Sequence, residues 1–220
     1  MNIARLNSDP EIFYSLQGEG ARTGSPAVFL RLAGCNLHCC WCDTRYSWLP
    51  GCSLPVEEVA RRLLAYDCPA LVITGGEPLL QAAELEELLA LLPRHFYIEV
   101  ETNGTIAPTP ALVQRVNQWN VSPKLAHAGN APEASLRPDV LAAFVCSGRA
   151  WFKFVVRGEE DWPAIRALGL PRPCIILMPC ASTRDELTAA RPAVAEMCLR
   201  HRVRLGDRLH LVLWDNKKGV

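Results

Sequence analysis

From residue 27 onward the chain alternates between short apolar, β-branched runs and longer stretches whose apolar residues recur at helical spacing. The runs AVFLRLAG (27–34), ALVIT (70–74), FYIEVET (96–102), WNVS (119–122), WFKFVV (151–156), CIILM (174–178) and LHLVLW (209–214) read as strands. Between them, VEEVARRLLAY (56–66), AELEELLALL (83–92), PALVQRVN (110–117), ASLRPDVLAAF (134–144, interrupted by a proline), WPAIRAL (162–168) and TRDELTAARPAVAEMCLRHR (183–202) read as helices. A strand followed each time by a helical crossover predicts a largely parallel sheet. Such a sheet either winds into a full or partial α/β barrel or stays open and doubly wound, and periodicity does not separate the two. In both architectures chemistry gathers at the C-terminal ends of the strands. There the sequence places GCNLHCCWCDT, TGGEP, ETNG and SPK after the first four runs. The longest connection without a pattern is the proline-bearing stretch around residues 123–133.

The length of 220 residues suits a single domain spanning 1–220, with 50% hydrophobic and 21% charged residues. Lys plus Arg and Asp plus Glu each total 23, which leaves no net positive field for nucleic acid or an anionic membrane surface. A small-molecule partner is expected instead. The N-terminal MNIARLNSDPEIFYS has no basic region followed by an apolar stretch, and no apolar run is long enough to span a bilayer, so the expected location is cytoplasmic. In such a compartment the ten cysteines are thiols rather than a disulfide framework. Cys52, Cys68, Cys146, Cys174 and Cys198 stand alone and read as small buried hydrophobes.

Cys35, Cys39 and Cys42 are different, because they form a C-x3-C-x2-C array in one loop. Three thiolates so spaced can ligate three irons of a 4Fe-4S cubane and leave the fourth iron open to a small molecule, where most purely electron-carrying clusters have four cysteines. S-adenosylmethionine can chelate that iron through its amino and carboxylate groups. Two other readings stay open on spacing alone: a zinc site completed by His38, and a thiol redox pair in the C-x2-C of Cys39 and Cys42. Cys40 could also replace Cys39 as a ligand.

With Trp41 as the aromatic of C-x3-C-x-aromatic-C, and TGGEP at 74–78, the chain resembles the radical S-adenosylmethionine superfamily. SLQGEG (15–20), FLRLAGCNLHC (29–39), WCDT (41–44), ETNG (101–104), SPK (122–124) and the ending LHLVLWDNKKGV are similar to the 7-carboxy-7-deazaguanine synthase family within it. The resemblance implies a trimmed, partial radical-enzyme α/β barrel that associates as a homodimer. It further implies conversion of 6-carboxy-5,6,7,8-tetrahydropterin to 7-carboxy-7-deazaguanine with loss of ammonia, on the route to deazapurines such as queuosine. The cofactors it implies are a 4Fe-4S cluster, S-adenosylmethionine and Mg²⁺, with an electron donor such as flavodoxin or ferredoxin. A glycyl-radical activating enzyme shares the cysteine spacing and a GGEP-like turn, but SLQGEG and the GV ending argue against it.

Carried over by motif, Leu16, Gln17, Gly18, Glu19, Arg31 and Thr74 would meet the substrate, with His210 and the carboxylate of Val220 closing over it. Trp41, Asp43, Gly76, Glu101, Asn103, Ser122, Pro123, Lys124, Met178 and Pro179 would surround S-adenosylmethionine, and the Thr44 hydroxyl would bind Mg²⁺. Where some relatives carry Gln before the later proline, this chain has Met178. Each residue also has a plain structural reading. QGEG is a polar turn, Arg31 a member of an ion pair, Thr44 a cap, Asn103 an Asn-Gly turn and His210 a packing residue.

Overall fold

The computed structural model describes residues 1–220. Antiparallel pieces come first: β1 (Asn2–Ile3), a ribbon of β2 (Arg5–Leu6) and β3 (Asp9–Pro10), and β4 (Ile12–Leu16). Then β5 (Pro26–Leu32), β6 (Cys52–Ser53) and α1 (Val56–Leu64) lead to β7 (Ala70–Gly75), α2 (Ala82–Leu91) and β8 (Tyr97–Thr102). Next come α3 (Pro110–Arg115), β9 (Gln118–Val121), α4 (Pro132–Ser135), α5 (Pro138–Cys146) and β10 (Ala150–Val156). The chain ends with α6 (Trp162–Ala167), β11 (Ile175–Pro179), α7 (Arg184–His201), β12 (Arg204–Leu205) and α8 (Leu209–Trp214).

Strand order settles what periodicity left open. β5, β7, β8, β9, β10, β11 and β12 lie side by side in chain order, each neighbouring pair parallel. A doubly wound sheet would reverse its order at a switch point, and this one never does. It winds one way, as a barrel does, but remains open. β4 runs antiparallel along the other edge of β5, from Ile12↔Leu30 to Leu16↔Pro26. β1 continues that edge at Ile3↔Leu32, and β6 pairs beyond it.

Side-chain alternation along the strands separates two faces. Leu30 and Leu32, Leu71 and Ile73, Ile98 and Val100, Phe152 and Phe154 all belong to one continuous hydrophobic cluster, which also takes in the buried stripe of α1, Val56, Val59, Ala60 and Leu63. That stripe has the i, i+3, i+4, i+7 spacing of an amphipathic helix. The opposite face looks into the barrel and carries Arg31, Thr74, Glu101 and Lys153 in alternate positions of the same strands.

The segment 209–214, expected as a strand, is instead the helix α8. The edge of β11 that it would have used is taken by β12, with Ile176↔Arg204 and Leu177↔Leu205. Of its apolar residues only Leu211 is fully buried, against Ala181 and Leu187. The stretch 123–133 is also more than a connection, since it packs on the cysteine loop through a Cys40 N–H to Ala128 carbonyl bond of 2.9 Å. Cys146, expected to be buried, is exposed at the end of α5.

Candidate active site

The loops following β5, β7, β8, β9 and β11 surround a cavity of about 270 Å³ at the C-terminal ends of the strands, with the final residues of the chain on its remaining side. Cys35, Cys39, Cys42 and every residue carried over by motif line it except Pro123 and Pro179. Those two are buried beside their loops. Pro179 ends β11 facing away from Met178, as strand alternation requires.

The cysteine loop leaves β5 and returns over the cavity. Cys35, Cys39 and Cys42 line it, whereas Cys40 is exposed and turns outward to the His127 carbonyl, 3.3 Å from its Sγ. Cys40 is therefore not interchangeable with Cys39 here. His38 also points away, its ring edge-on to Trp48 at 5.0 Å, and no three His, Cys, Asp or Glu side chains converge on a single-ion site. A tetrahedral zinc centre with His38 as fourth ligand does not fit this arrangement. Three sulfurs on one wall, each with a polar neighbour, fit a cubane whose irons they would ligate separately. Those neighbours are the Leu37 N–H at 3.4 Å from Cys35 Sγ, Asn130 Nδ2 at 3.2 Å from Cys39 Sγ, and Thr44 Oγ1 at 3.7 Å from Cys42 Sγ. Trp41 is fixed by an Nε1–H to His127 Nδ1 bond of 3.1 Å.

Glycine at positions 75 and 76 permits close backbone approach to a ligand. The tighter constraint comes from the protein itself: a Cβ on Gly75 would lie 2.1 Å from the Leu32 carbonyl oxygen, and one on Gly76 would lie 1.9 Å from that of Gly34. Gly75 also has φ of +138°. Glycines thus let the GGEP turn nest against the start of the cysteine loop, which the Glu77 N–H to Gly34 carbonyl bond of 2.8 Å fastens. Glu77 itself is fully buried. Its carboxylate accepts from Leu79 N–H at 2.9 Å, Thr102 Oγ1 at 2.8 Å and Asn103 N–H at 2.7 Å, tying β7 to the end of β8.

Asn103 turns out to be a loop fastener. Its Nδ2 donates to Asn36 Oδ1 at 2.8 Å and its Oδ1 accepts from Thr105 N–H and Oγ1. Lys124 is half-buried beside these groups, donates to Ser122 Oγ at 2.9 Å and stands 5.3 Å over the Trp41 ring. Burial pushes its ammonium below the ordinary lysine range.

Across the barrel interior runs a buried ionic network. Lys153 Nζ, on β10, donates to Glu19 at 2.6 Å and Glu101 at 2.8 Å. Arg208 donates to Glu19 at 2.9 Å, and also to Asp43 and the Ala181 carbonyl. Burial alone would raise the Glu19 carboxyl, but Lys153 and Arg208 outweigh it and hold Glu19 well below the usual carboxylate range. Beneath it, Glu99 is pushed up to about 7, by burial first and by neighbouring Glu101 second, although Gln17 and Asn120 donate to it. Lys153, Arg208, Glu99 and Asn120 escaped the sequence reading. The available signal was strand parity: Glu99 and Glu101 share a face in FYIEVET, and Lys153 is the one charge inside WFKFVV.

Arg31 sits beside Thr74 across the β5–β7 pair. Its Nε donates to Glu11 at 2.9 Å, while both terminal nitrogens lack a protein partner. Glu11 also accepts from Tyr46 OH at 3.0 Å on the same oxygen, leaving its buried Oε2 without a partner. The segment after β12 closes this end. Leu209 N–H donates to the Gly18 carbonyl at 2.8 Å, and a Cβ on Gly18 would come within 2.3 Å of His210 Nδ1. His210 packing thus explains a glycine in the QGEG turn.

Comparison with known proteins agrees with this geometry. Residues 30–122 match the Radical SAM superfamily model. The 7-carboxy-7-deazaguanine synthase of Pyrobaculum aerophilum is 42% identical over 218 residues, covering 95% of both chains. That of Hyperthermus butylicus is 39% identical, covering 92% of this chain and 91% of its own. Among solved structures, QueE from Escherichia coli superposes with a TM-score of 0.68 at 28% identity, over 90% of this chain and 91% of its own. The chain belongs to the 7-carboxy-7-deazaguanine synthase family of radical SAM enzymes.

Proposed function

We propose that this chain, acting as one unit over residues 1–220, converts 6-carboxy-5,6,7,8-tetrahydropterin to 7-carboxy-7-deazaguanine with loss of ammonia. The observation that carries the reading is one cavity lined both by the three thiols and by an arginine whose two terminal nitrogens are free. Cys35, Cys39 and Cys42 would hold a 4Fe-4S cluster with one open iron for the amino and carboxylate groups of S-adenosylmethionine. When bound, these cofactors supply a 5′-deoxyadenosyl radical that removes hydrogen from the substrate carbon.

The chain's own part is binding and orientation. Lys124 would face the carboxylate of S-adenosylmethionine, with Ser122 holding its ammonium in place. Trp41, Asp43, Gly76 and Met178 would line the rest of that subsite, near Glu101 and Asn103. Arg31 offers its two free N–H groups to the substrate carboxylate, a planar match between guanidinium and carboxylate. Thr44 would supply a hydroxyl oxygen to Mg²⁺, which favours oxygen and retains water. Glu19, held ionised by Lys153 and Arg208, accepts from N–H groups of the heterocycle, together with Gln17 and the Leu16–Gly18 backbone. Thr74, His210 and Val220 would complete the enclosure. Family resemblance supports the remaining parts of the reading: a homodimer, a flavodoxin- or ferredoxin-type electron donor, and a cytoplasmic setting. No helix is long and apolar enough to cross a membrane.

The test is anaerobic incubation of reconstituted protein with 6-carboxytetrahydropterin, S-adenosylmethionine, reductant and Mg²⁺, followed by mass spectrometry. The contracted base is expected, reduced by EDTA and restored by Mg²⁺. Unchanged substrate beside an intact cluster would refute the substrate assignment, and indifference to EDTA would refute the role of Thr44.

A further inference from the structure

The three thiols of the cysteine loop differ in where their polar neighbours come from. Leu37 and Thr44 belong to the loop itself, whereas Asn130 reaches Cys39 Sγ from the segment after β9, 91 residues further along the chain. The orientation of the Asn130 amide is fixed. Its Oδ1 accepts from the His38 N–H at 2.9 Å, and a backbone N–H can only donate, so the oxygen faces His38 and the NH₂ faces the sulfur. The segment is seated against the loop by the Cys40 N–H to Ala128 carbonyl bond and turns at Gly129, whose φ is +81°. Cys39 is itself buried, so solvent offers its sulfur little competing donation.

Resting on the reading of Cys39 as an iron ligand, we propose that Asn130 is an outer hydrogen-bond donor to the cluster that raises its reduction potential through the Cys39 sulfur. Reduction adds one negative charge to the cluster and its thiolates. An N–H aimed at a thiolate stabilises that extra charge more than it stabilises the oxidised form, so the potential rises. The effect bears on function because an easier reduction lets a moderate electron donor load the cluster. Asn130 is a positioning and tuning residue: it does not line the cavity and acts only through the Cys39 sulfur.

Two variants separate its roles. Asn130→Asp keeps an oxygen for the His38 N–H but has no donor for sulfur, while Asn130→Ala removes both bonds without adding charge. Wild type and both variants are reconstituted anaerobically without S-adenosylmethionine, assayed for iron and sulfide, and titrated by EPR-monitored potentiometry. With iron and sulfide at wild-type levels, the midpoint is expected to fall in both variants. Lowering the reduced-to-oxidised ratio at fixed poise by roughly tenfold corresponds to about 59 mV for a one-electron couple. The added charge should place Asn130→Asp lowest. If Asn130→Ala loses its cluster, the Asp variant decides. A wild-type midpoint in a variant that retains its cluster would overturn the proposal, as would loss of the cluster from Asn130→Asp, which would assign Asn130 to retention rather than tuning. Wild-type protein without iron or sulfide would instead refute the reading of Cys39 on which the proposal rests.

Discussion

Arg31 has three nitrogens to offer and the protein engages one of them. Glu11 takes Nε and is itself engaged by the Tyr46 hydroxyl on the same oxygen, while the two terminal nitrogens stay open to the cavity. This is the arrangement expected of a guanidinium kept ready for a carboxylate ligand. Hydrogen bonds to charged groups contribute about 1.5–3 kcal/mol. Arg31→Ala should therefore raise the KM for the pterin by about tenfold or more while S-adenosylmethionine binding stays near wild type. Glu11→Gln, which leaves the guanidinium less firmly aimed, should shift the same constant in the same direction by a smaller factor. Steady-state kinetics and cofactor titration check both, and equal losses for the two ligands would contradict the assignment. Arg31 was legible in the sequence as a charge inside an apolar run. Glu11 was not, because nothing local in SDPEIFYS announces that antiparallel β4 and its approach lie against β5.

At the level of elements, the cysteine loop has little regular structure of its own and is held by its neighbours. The GGEP turn contacts its first residues, Asn103 and Thr105 hold Asn36 from the end of β8, and the segment after β9 bonds to Cys39, Cys40 and His38. The strand ends that the hydrophobic pattern located are thus joined to one another as well as to a common cavity. Gly76→Ala tests this directly, since its Cβ would meet backbone rather than a flexible side chain. Overpacking of this kind costs about 1–3 kcal/mol, and in a chain of this length each kcal/mol lowers Tm by about 2–4 °C. The variant should melt about 2–12 °C lower and hold less iron after reconstitution. Wild-type values for both would show that the loop tolerates the methyl group and that the close approach is not limiting.

Across the whole molecule, the order of strands and helices was readable because each apolar run is bounded by turn residues and each helix carries a core-facing stripe. The direction of winding was not, since it depends on which strands pair, and no local pattern encodes that. Residues 209–214 misled for a related reason: their apolar alternation suits a strand, but β12 had already taken the available edge. The cavity was legible where its residues sit in loop motifs. It was hidden where single polar residues face inward from apolar strands, as Lys153 and Asn120 do, or reach in from the C-terminal segment, as Arg208 does. Those hidden groups give the barrel interior its charge balance, with Lys153 and Arg208 set against Glu19, Glu101 and Asp43. In the proposed function three particular thiols create the radical-generating site, and the neighbouring Cys40 supplies an internal control because it lies in the same loop but faces outward. Iron, acid-labile sulfide and turnover measured together on anaerobically reconstituted Cys35→Ala, Cys39→Ala, Cys42→Ala and Cys40→Ala proteins test it most directly. The first three are predicted to lose the cluster and all product formation while Cys40→Ala keeps both; full activity in any of the first three, or its loss in Cys40→Ala alone, would contradict the account.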